Sequence, residues 1–210
     1  SIQVDHEIIS DMNESIPETL DLFTDVSYGV WSYDAIQYLS AKTVISGYED
    51  GSFRPQSSVS RAEFVKMIIA ATGLTSDEKD IEINFGDVSK DDWYYSYIRT
   101  AVKCGIVFGD DSGRFNPDAR VTCEEIAAFI YRACQAVPCE LKLTSDTVIA
   151  DRETISDWAY TPVMQLVSAG IISGYDDSSF RPENQATREE AASLLYRLML
   201  YIDANAKEAS

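Results

Sequence analysis

Two arginines stand where elementary electrostatics would place an acid. Arg61 and Arg188 each follow a helix-capping hydroxyl, Ser60 and Thr187, and so occupy the first position of a helix. A cation there faces the positive end of the helix dipole, where Asp or Glu would be more favourable by about 0.3–1 kcal/mol. Free helix amides, the dipole and a guanidinium converging on one spot make an anion site, and a bidentate carboxylate is its natural occupant. The alternative is a salt bridge to an acidic neighbour, and the helix rule alone does not choose between the two. Removing a cation from a helix N-terminus is expected to leave stability unchanged or slightly raised.

Two further residue types recur with these arginines. Trp31, Trp93 and Trp158 precede Gly47, Gly109 and Gly174 by sixteen residues each. A Trp at a helix start beside a Gly-lined loop offers its face to a sugar ring and its N–H to a hydroxyl, although most helix tryptophans are core. Glycine serves a backbone angle or lets a ligand approach the main chain. Their joint recurrence favours a site.

The elements that must position these residues are written three times. GYEDGSFRPQSSVSRAEF from Gly47 returns as GDDSGRFNPDARVTCEEI from Gly109 and as GYDDSSFRPENQATREEA from Gly174. Without gaps, the copies keep Phe six residues after Gly (Phe53, Phe115, Phe180) and Pro two further on (Pro55, Pro117, Pro182). The Trp-to-Trp period is 62 and then 65 residues, which marks a repeat array. Units of roughly fifty residues seldom hold a core alone, so the copies are expected to share one.

Each copy reads as helix, loop, helix. The first helix, about ten to twelve residues, buries Ala35, Ile36 and Leu39, or Ile98, Ala101 and Val102, or Val163, Leu166 and Val167. It is expected to begin near Trp158, with Trp on its first turn and Pro162 tolerated only within that turn, and to stop at Gly105 or Gly170. The loop combines Gly with acidic turn formers (Asp50-Gly51, Asp110-Asp111, Asp176-Asp177), and its Phe is read as a plug into the core. It lacks the alternating carboxylates and twelfth-position Glu of an EF-hand, which argues against calcium. The second helix opens on a capping box, Ser60/Glu63, Thr122/Glu125 and Thr187/Glu190. Its apolar faces, such as Phe64, Val65 and Ile68, are expected to form a central bundle.

These signals divide the chain into an N-terminal extension (1–22), repeats at 23–74, 85–135 and 149–200, connectors at 75–84 and 136–148, and a tail at 201–210. The spacing of Ile8, Ile9, Met12 and Ile16 predicts a short helix in the extension. Each repeat opens on an Asp upstream of its Trp: Phe23-Thr24-Asp25, Phe85-Gly86-Asp87 and Ile149-Ala150-Asp151. The overall expectation is an all-α protein of three tandem helix–loop–helix repeats with no substantial sheet.

Composition narrows the partners. The 210 residues, 45% apolar and 25% charged, describe an ordinary folded protein, and no apolar run approaches the length of a membrane span. No signal-like segment is present, so a targeting peptide is expected to have been removed or to lie outside the chain. A formal charge of −18 opposes nucleic acid as a partner. The single histidine, His6, and the spacing of Cys104, Cys123, Cys134 and Cys139 assemble neither a zinc site nor a His-based triad, and no cofactor is implied. Cys134 and Cys139 are close enough to pair across a short turn, but two free thiols are the preferred reading. A glycoside hydrolase would need two carboxylates across a groove, whereas the acids here repeat with turns and caps. The chain is therefore read as a binding module, not an enzyme.

The FTDV–Trp opening, the SGYEDGSFRP loop and the SRAE and TREE segments resemble the S-layer homology domain family over about residues 23–200. That resemblance implies a pseudo-threefold assembly with a helical bundle at its base and three prongs, whose grooves bind the secondary cell-wall polysaccharide of Gram-positive bacteria through a terminal pyruvylated N-acetylmannosamine. It further implies non-covalent anchoring of a surface layer or exoenzyme to the wall, an extracellular location, and a cargo domain outside this chain. Carried over by position, Arg61 and Arg188 hold the ketal carboxylate, Trp31, Trp93 and Trp158 contact the sugar, and Gly47, Gly109 and Gly174 line the loop. Copy two departs, with Cys123 at the Arg position and Asn116 for Arg54 or Arg181, although Arg114 or Arg120 could reach in instead; its groove is expected to be weak, silent or altered. The competing expectation is a protein-interaction or self-assembly module of the cell surface that has lost glycan binding.

Overall fold

The computed structural model describes residues 21–77 and 81–208; the helix expected over residues 8–16 lies outside them, as does His6. Six α-helices follow in order: α1 (Tyr33–Ala41), α2 (Arg61–Thr72), α3 (Tyr95–Lys103), α4 (Cys123–Ala136), α5 (Asp157–Ser168) and α6 (Arg188–Glu208). One 3-10 turn, Arg152–Thr154, precedes α5. Among the described residues the only β pairing is three isolated bridges, so the all-helical expectation holds.

The capping boxes set the starts of α2, α4 and α6. Ser60 Oγ and Thr122 Oγ1 accept from Glu63 N and Glu125 N, and each glutamate returns a carboxylate oxygen to the cap amide. At α6, Glu190 N donates to Thr187 Oγ1 at 3.3 Å and Thr187 N donates to Glu190 Oε2 at 2.8 Å. These three helices contact one another, and Phe64 of α2 stacks on Phe129 of α4 at 6.2 Å, which forms the expected central bundle.

The first helices pack outward on the second helices: α3 on α2, α5 on α4, and α1 on α6. Each first helix therefore rests on the preceding repeat, and the first repeat rests on the last. Two details differ from the sequence reading. α1 and α3 are nine residues long and begin two residues after Trp31 and Trp93. Only α5 places Trp on its first turn, because Glu124 takes Ser156 N at 3.1 Å and Ser156 Oγ at 2.9 Å and so fixes an earlier start. Pro162 consequently falls at the sixth helical position, beyond the first turn. The amide it lacks would have bonded the carbonyl of Trp158, which belongs to an exposed residue, while the Pro ring itself is buried. α6 also runs past residue 200, where no Gly or Pro stops it, and Tyr201 Oη accepts from Lys142 N at 2.5 Å in the connector.

The loops explain the acid that opens each repeat. Asp25 accepts from Phe53 N and Arg54 N at 2.7 and 2.8 Å. Asp87 does the same for Phe115 N and Asn116 N, and Asp151 for Phe180 N and Arg181 N. The second residue of each pair is left-handed, with φ of 57–59° at Arg54, Asn116 and Arg181. Asparagine tolerates that conformation well, so Asn116 suits the backbone at this position. The held Phe side chains are 0%, 0% and 5% exposed, as a plug requires.

A ring of main-chain bonds joins the copies. Val59 N donates to Ala186 O at 3.1 Å, Ala186 N to Val121 O at 3.0 Å, and Val121 N to Val59 O at 3.1 Å.

Candidate functional site

The helix-start residues lie in the seams between copies. Arg61 leaves α2 and crosses to the second repeat, where Nε donates to Phe115 O at 3.0 Å and Nη1 meets Glu125 Oε1 at 2.5 Å. Arg188 leaves α6 and crosses to the first repeat, donating from Nε to Phe53 O and from Nη2 to Ser46 O, both at 2.9 Å. Its Nη1 stands 3.9 Å from Glu63 Oε1. Both side chains are largely buried, at 12% and 10% exposure.

Contrary to the expectation from the helix rule, no anion site is built from helix-start amides here. The amides at the helix starts are not free. Arg61 N and Ala62 N donate to Ala119 O and Pro117 O, Cys123 N and Glu124 N to Asn184 O and Pro182 O, and Arg188 N and Glu189 N to Ser57 O and Pro55 O. The Phe-x-Pro loop of the next copy consumes them, so the guanidinium, not the helix terminus, is what an anion would meet. Removing Arg188 would also take the donor from the carbonyl of the fully buried Phe53, which costs about 1–3 kcal/mol, contrary to the expectation of unchanged or raised stability; the carbonyl of the exposed Ser46 can turn to water.

Each capping glutamate has two jobs. One oxygen closes the box; the other faces whatever the neighbouring copy sends across the seam. For Glu125 that is Arg61 in a tight pair. For Glu63 it is Arg188 at the long distance of 3.9 Å, a looser pair than the one between Arg61 and Glu125. For Glu190 no arginine arrives, because Cys123 occupies the helix start. Tyr175 Oη donates to Glu190 Oε1 at 2.5 Å instead. Burial, and then the charge of Glu190, push the Cys123 thiol up to about 12, so the residue at that position is a neutral thiol where the other seams have a guanidinium. Burial and the bond to Glu190 likewise push Tyr175 well above its ordinary value. Arg114 and Arg120, considered as substitutes, point elsewhere: Arg114 Nε lies 3.5 Å from Asp87, and Arg120 Nη1 donates to Ser58 O.

One cleft of about 240 Å³ gathers three of the predicted residues from three copies: Arg188, Gly47 and Trp93. Tyr48, Glu63 and Lys66 complete its polar wall. Trp93 is 56% exposed and Trp158 52%, so these indoles are surface platforms and not core. Trp31 is half-buried, and Trp31 and Trp158 lie outside this cleft. Gly47 is required for packing: a Cβ there would overlap the Phe23 ring and stand 2.7 Å from Ser52 O. Gly109 meets Phe85 in the same way, whereas Gly174 sits under Ile149 and has φ +77°. The close approach that glycine permits is thus by the opening residue of each repeat.

Sequence reasoning missed Tyr48, Tyr175 and Lys66. The tyrosines follow the repeated Gly in copies one and three but not in copy two, where Asp110 stands, and that alternation was the available signal. Arg54 and Arg181 belong to the turn itself: each pairs with an acid four residues back, Asp50 at 2.9 Å and Asp177 at 2.8 Å. Hydrogen bonds from Ser52 and Arg54 hold Asp50 down at about 2, and the matching bonds depress Asp177. Cys134 and Cys139 are free thiols, and a hydrogen bond between them pushes Cys134 up and Cys139 down. Among the described residues no group of three or more His, Cys, Asp or Glu is placed to hold a metal, and no helix is long and apolar enough to cross a membrane.

Comparison with known proteins places the repeats. A family model described as S-layer homology domain matches residues 22–65, 84–127 and 149–192. The chain is similar to an amylopullulanase of Thermoanaerobacterium thermosulfurigenes, 33% identical over 170 residues, which covers 80% of this chain and 9% of that protein. It is similar to the S-layer protein sap of Bacillus anthracis, 30% identical over 173 residues, 82% of this chain and 20% of the relative. A cellulosome-anchoring protein of Acetivibrio thermocellus is 29% identical over 157 residues, 73% of this chain and 34% of the relative. The chain thus spans about a third of the length of these relatives or less.

Proposed function

The chain belongs to the S-layer homology domain family, and from that premise we propose that it anchors an exported protein non-covalently to the bacterial cell wall by binding wall polysaccharide in the seams between its repeats. The cleft that brings Arg188, Gly47 and Trp93 together carries this reading, since it places a cation beside an exposed aromatic face on an otherwise acidic protein. The terminal residue it takes is a pyruvylated N-acetylmannosamine, whose ketal carboxylate meets Arg188 while Trp93 flanks the ring. The binding unit is the set of repeats 23–74, 85–135 and 149–200, arranged as a pseudo-threefold, three-pronged body, and the ring through Val59, Ala186 and Val121 supports that arrangement. The chain does nothing beyond anchoring in this reading. It is a non-catalytic, extracellular module, and catalytic or lattice-forming activity belongs to cargo outside it.

Pull-down on purified wall sacculi tests this. Binding is expected to sacculi that retain their polysaccharide, to vanish when the polysaccharide is extracted, and to fall sharply on walls from cells lacking the pyruvyl transfer step. Equal binding to extracted sacculi would overturn the glycan reading in favour of a protein-interaction module. Equal binding to non-pyruvylated walls would remove the carboxylate and leave only sugar stacking.

A further inference from the structure

The cleft at Arg188 continues into a second one. A neighbouring hollow of about 430 Å³ shares Val44, Ile45, Ser46 and Lys66 with it and extends past Ser40 and Thr43 toward Leu22. Lys66 therefore lines both. It is half-buried, makes no ion pair among the described residues, and its ammonium stands 5.9 Å from the Trp93 ring centroid. In a chain of formal charge −18, this groove holds a second cation beside Arg188, and Glu63 is the one acid among the residues that line the two hollows. The other copies lack the second cation, for Ala128 and Ser193 hold the corresponding positions.

Thr43 points to the same hollow. It has φ +58°, where copies two and three have Gly105 at +71° and Gly170 at +76°. A β-branched residue in that conformation is strained, and such strain concentrates at binding sites. Ser40 Oγ, buried and without a hydrogen-bond partner, lies on the same wall.

We propose that the first-repeat groove is a two-residue subsite in which Lys66 binds an anionic group, carboxylate or phosphate, on the second sugar of the glycan, seated against Ser40 and Thr43. This rests on the anchoring function above and deepens it: the groove at Arg188 reads a charged disaccharide, whereas the seam at Arg61 has no second cation in this position.

Titration calorimetry on the whole chain separates the two ideas. The probes are a pyruvylated N-acetylmannosamine methyl glycoside, the same sugar extended by a neutral hexosamine, and the same sugar extended by a hexuronic acid or by a hexosamine phosphate. The monosaccharide tests the anchoring function alone. For the parent, an anionic second residue is expected to tighten binding at least tenfold over the monosaccharide, and a neutral one less than threefold. In Lys66→Met that gain is expected to fall below threefold, whatever happens to the monosaccharide itself. Thr43→Gly is expected to raise the melting temperature while lowering the gain. The hexuronic and phosphate probes identify the anion. Monosaccharide binding with no gain from any extension, an equal gain from the neutral residue, or a gain untouched in Lys66→Met would overturn the subsite while leaving the anchor intact. Failure of every glycan to bind would overturn both.

Discussion

The seam that Arg188 bridges and the seam that holds Cys123 are built from the same main chain but end in opposite chemistry. In both, two helix-start amides bond the Phe-x-Pro loop of the next copy, and a capping glutamate offers one free oxygen across the gap. At Arg188 the guanidinium donates to two carbonyls and meets Glu63 only loosely. At Cys123 a neutral thiol sits under Tyr175, whose hydroxyl already occupies Glu190. These backbone bonds are the same whatever the side chain, so the side chain is what distinguishes one seam from another. The Arg61 seam is a third state, with its cation present but neutralised by Glu125.

The largest expected effect breaks that contrast from the active side. A hydrogen bond to a charged group is worth about 1.5–3 kcal/mol, so Arg188→Ala should weaken glycan binding roughly ten- to a hundredfold and, by taking the donor from the buried Phe53 carbonyl, lower stability by about 1–3 kcal/mol. Cys123→Ala should change binding little. Calorimetry and thermal melts on the two variants check both; equal losses would mean the seams do not differ in function.

Restoring the missing residue approaches it from the silent side. In the first repeat Tyr48 lies 5.1 Å from the Arg188 guanidinium, so tyrosine and arginine coexist at one seam. Cys123→Arg is therefore expected to displace the Tyr175 hydroxyl from Glu190 and add a second binding event to the titration. An unchanged stoichiometry would show that Trp31 is not placed to complete that groove.

A smaller change sharpens the intermediate case. Glu125→Gln releases Arg61 from its pair while keeping the capping geometry, and should strengthen carboxylate binding at that seam by severalfold, with a modest loss of melting temperature. If affinity at that seam drops instead, Glu125 orients the arginine and does not compete with the ligand.

The smallest effect marks what the seams share. Asp50 is held near 2 by Ser52 and Arg54, below its ordinary 3.8, and Asp177 is depressed by the same set of partners. A lowered folded-state value stabilises above the ordinary carboxylate range and is lost as pH falls through the folded one. Carboxyl NMR titrations should therefore show both carboxylates still ionised at pH 4 and protonating only below the ordinary carboxylate range, regardless of which seam each adjoins. Separate behaviour would mean the loops are coupled to the seams.

Repetition made most of the fold legible. The capping boxes, the Phe plugs and the helix-start positions of Arg61 and Arg188 were all fixed by local rules written three times, and they stand where expected. What local rules could not supply was the partner across a seam. The helix amides look free in sequence because the carbonyls that take them lie in another copy, and Glu63 reads only as a cap because its second oxygen faces a residue more than a hundred positions away. The roles of Asp25, Asp87 and Asp151 were hidden for the same reason, as their partner amides lie 28–30 residues downstream. Pro162 misled because the start of α5 is set by Glu124 of the preceding repeat.

The bonds among Val59, Ala186 and Val121 also bear on how the molecule carries load. An open array under tension can shed its terminal unit and then the next. Here the first and last copies hold each other, so a pull between the chain ends loads the contact between Val59 and Ala186 at once and leaves no outer unit to peel away. Stretched by its termini in an optical trap, the chain is expected to give way in a single rupture, not in three steps. A body closed in this way has no partly opened stage at intermediate force; it is whole until the force that breaks everything is reached.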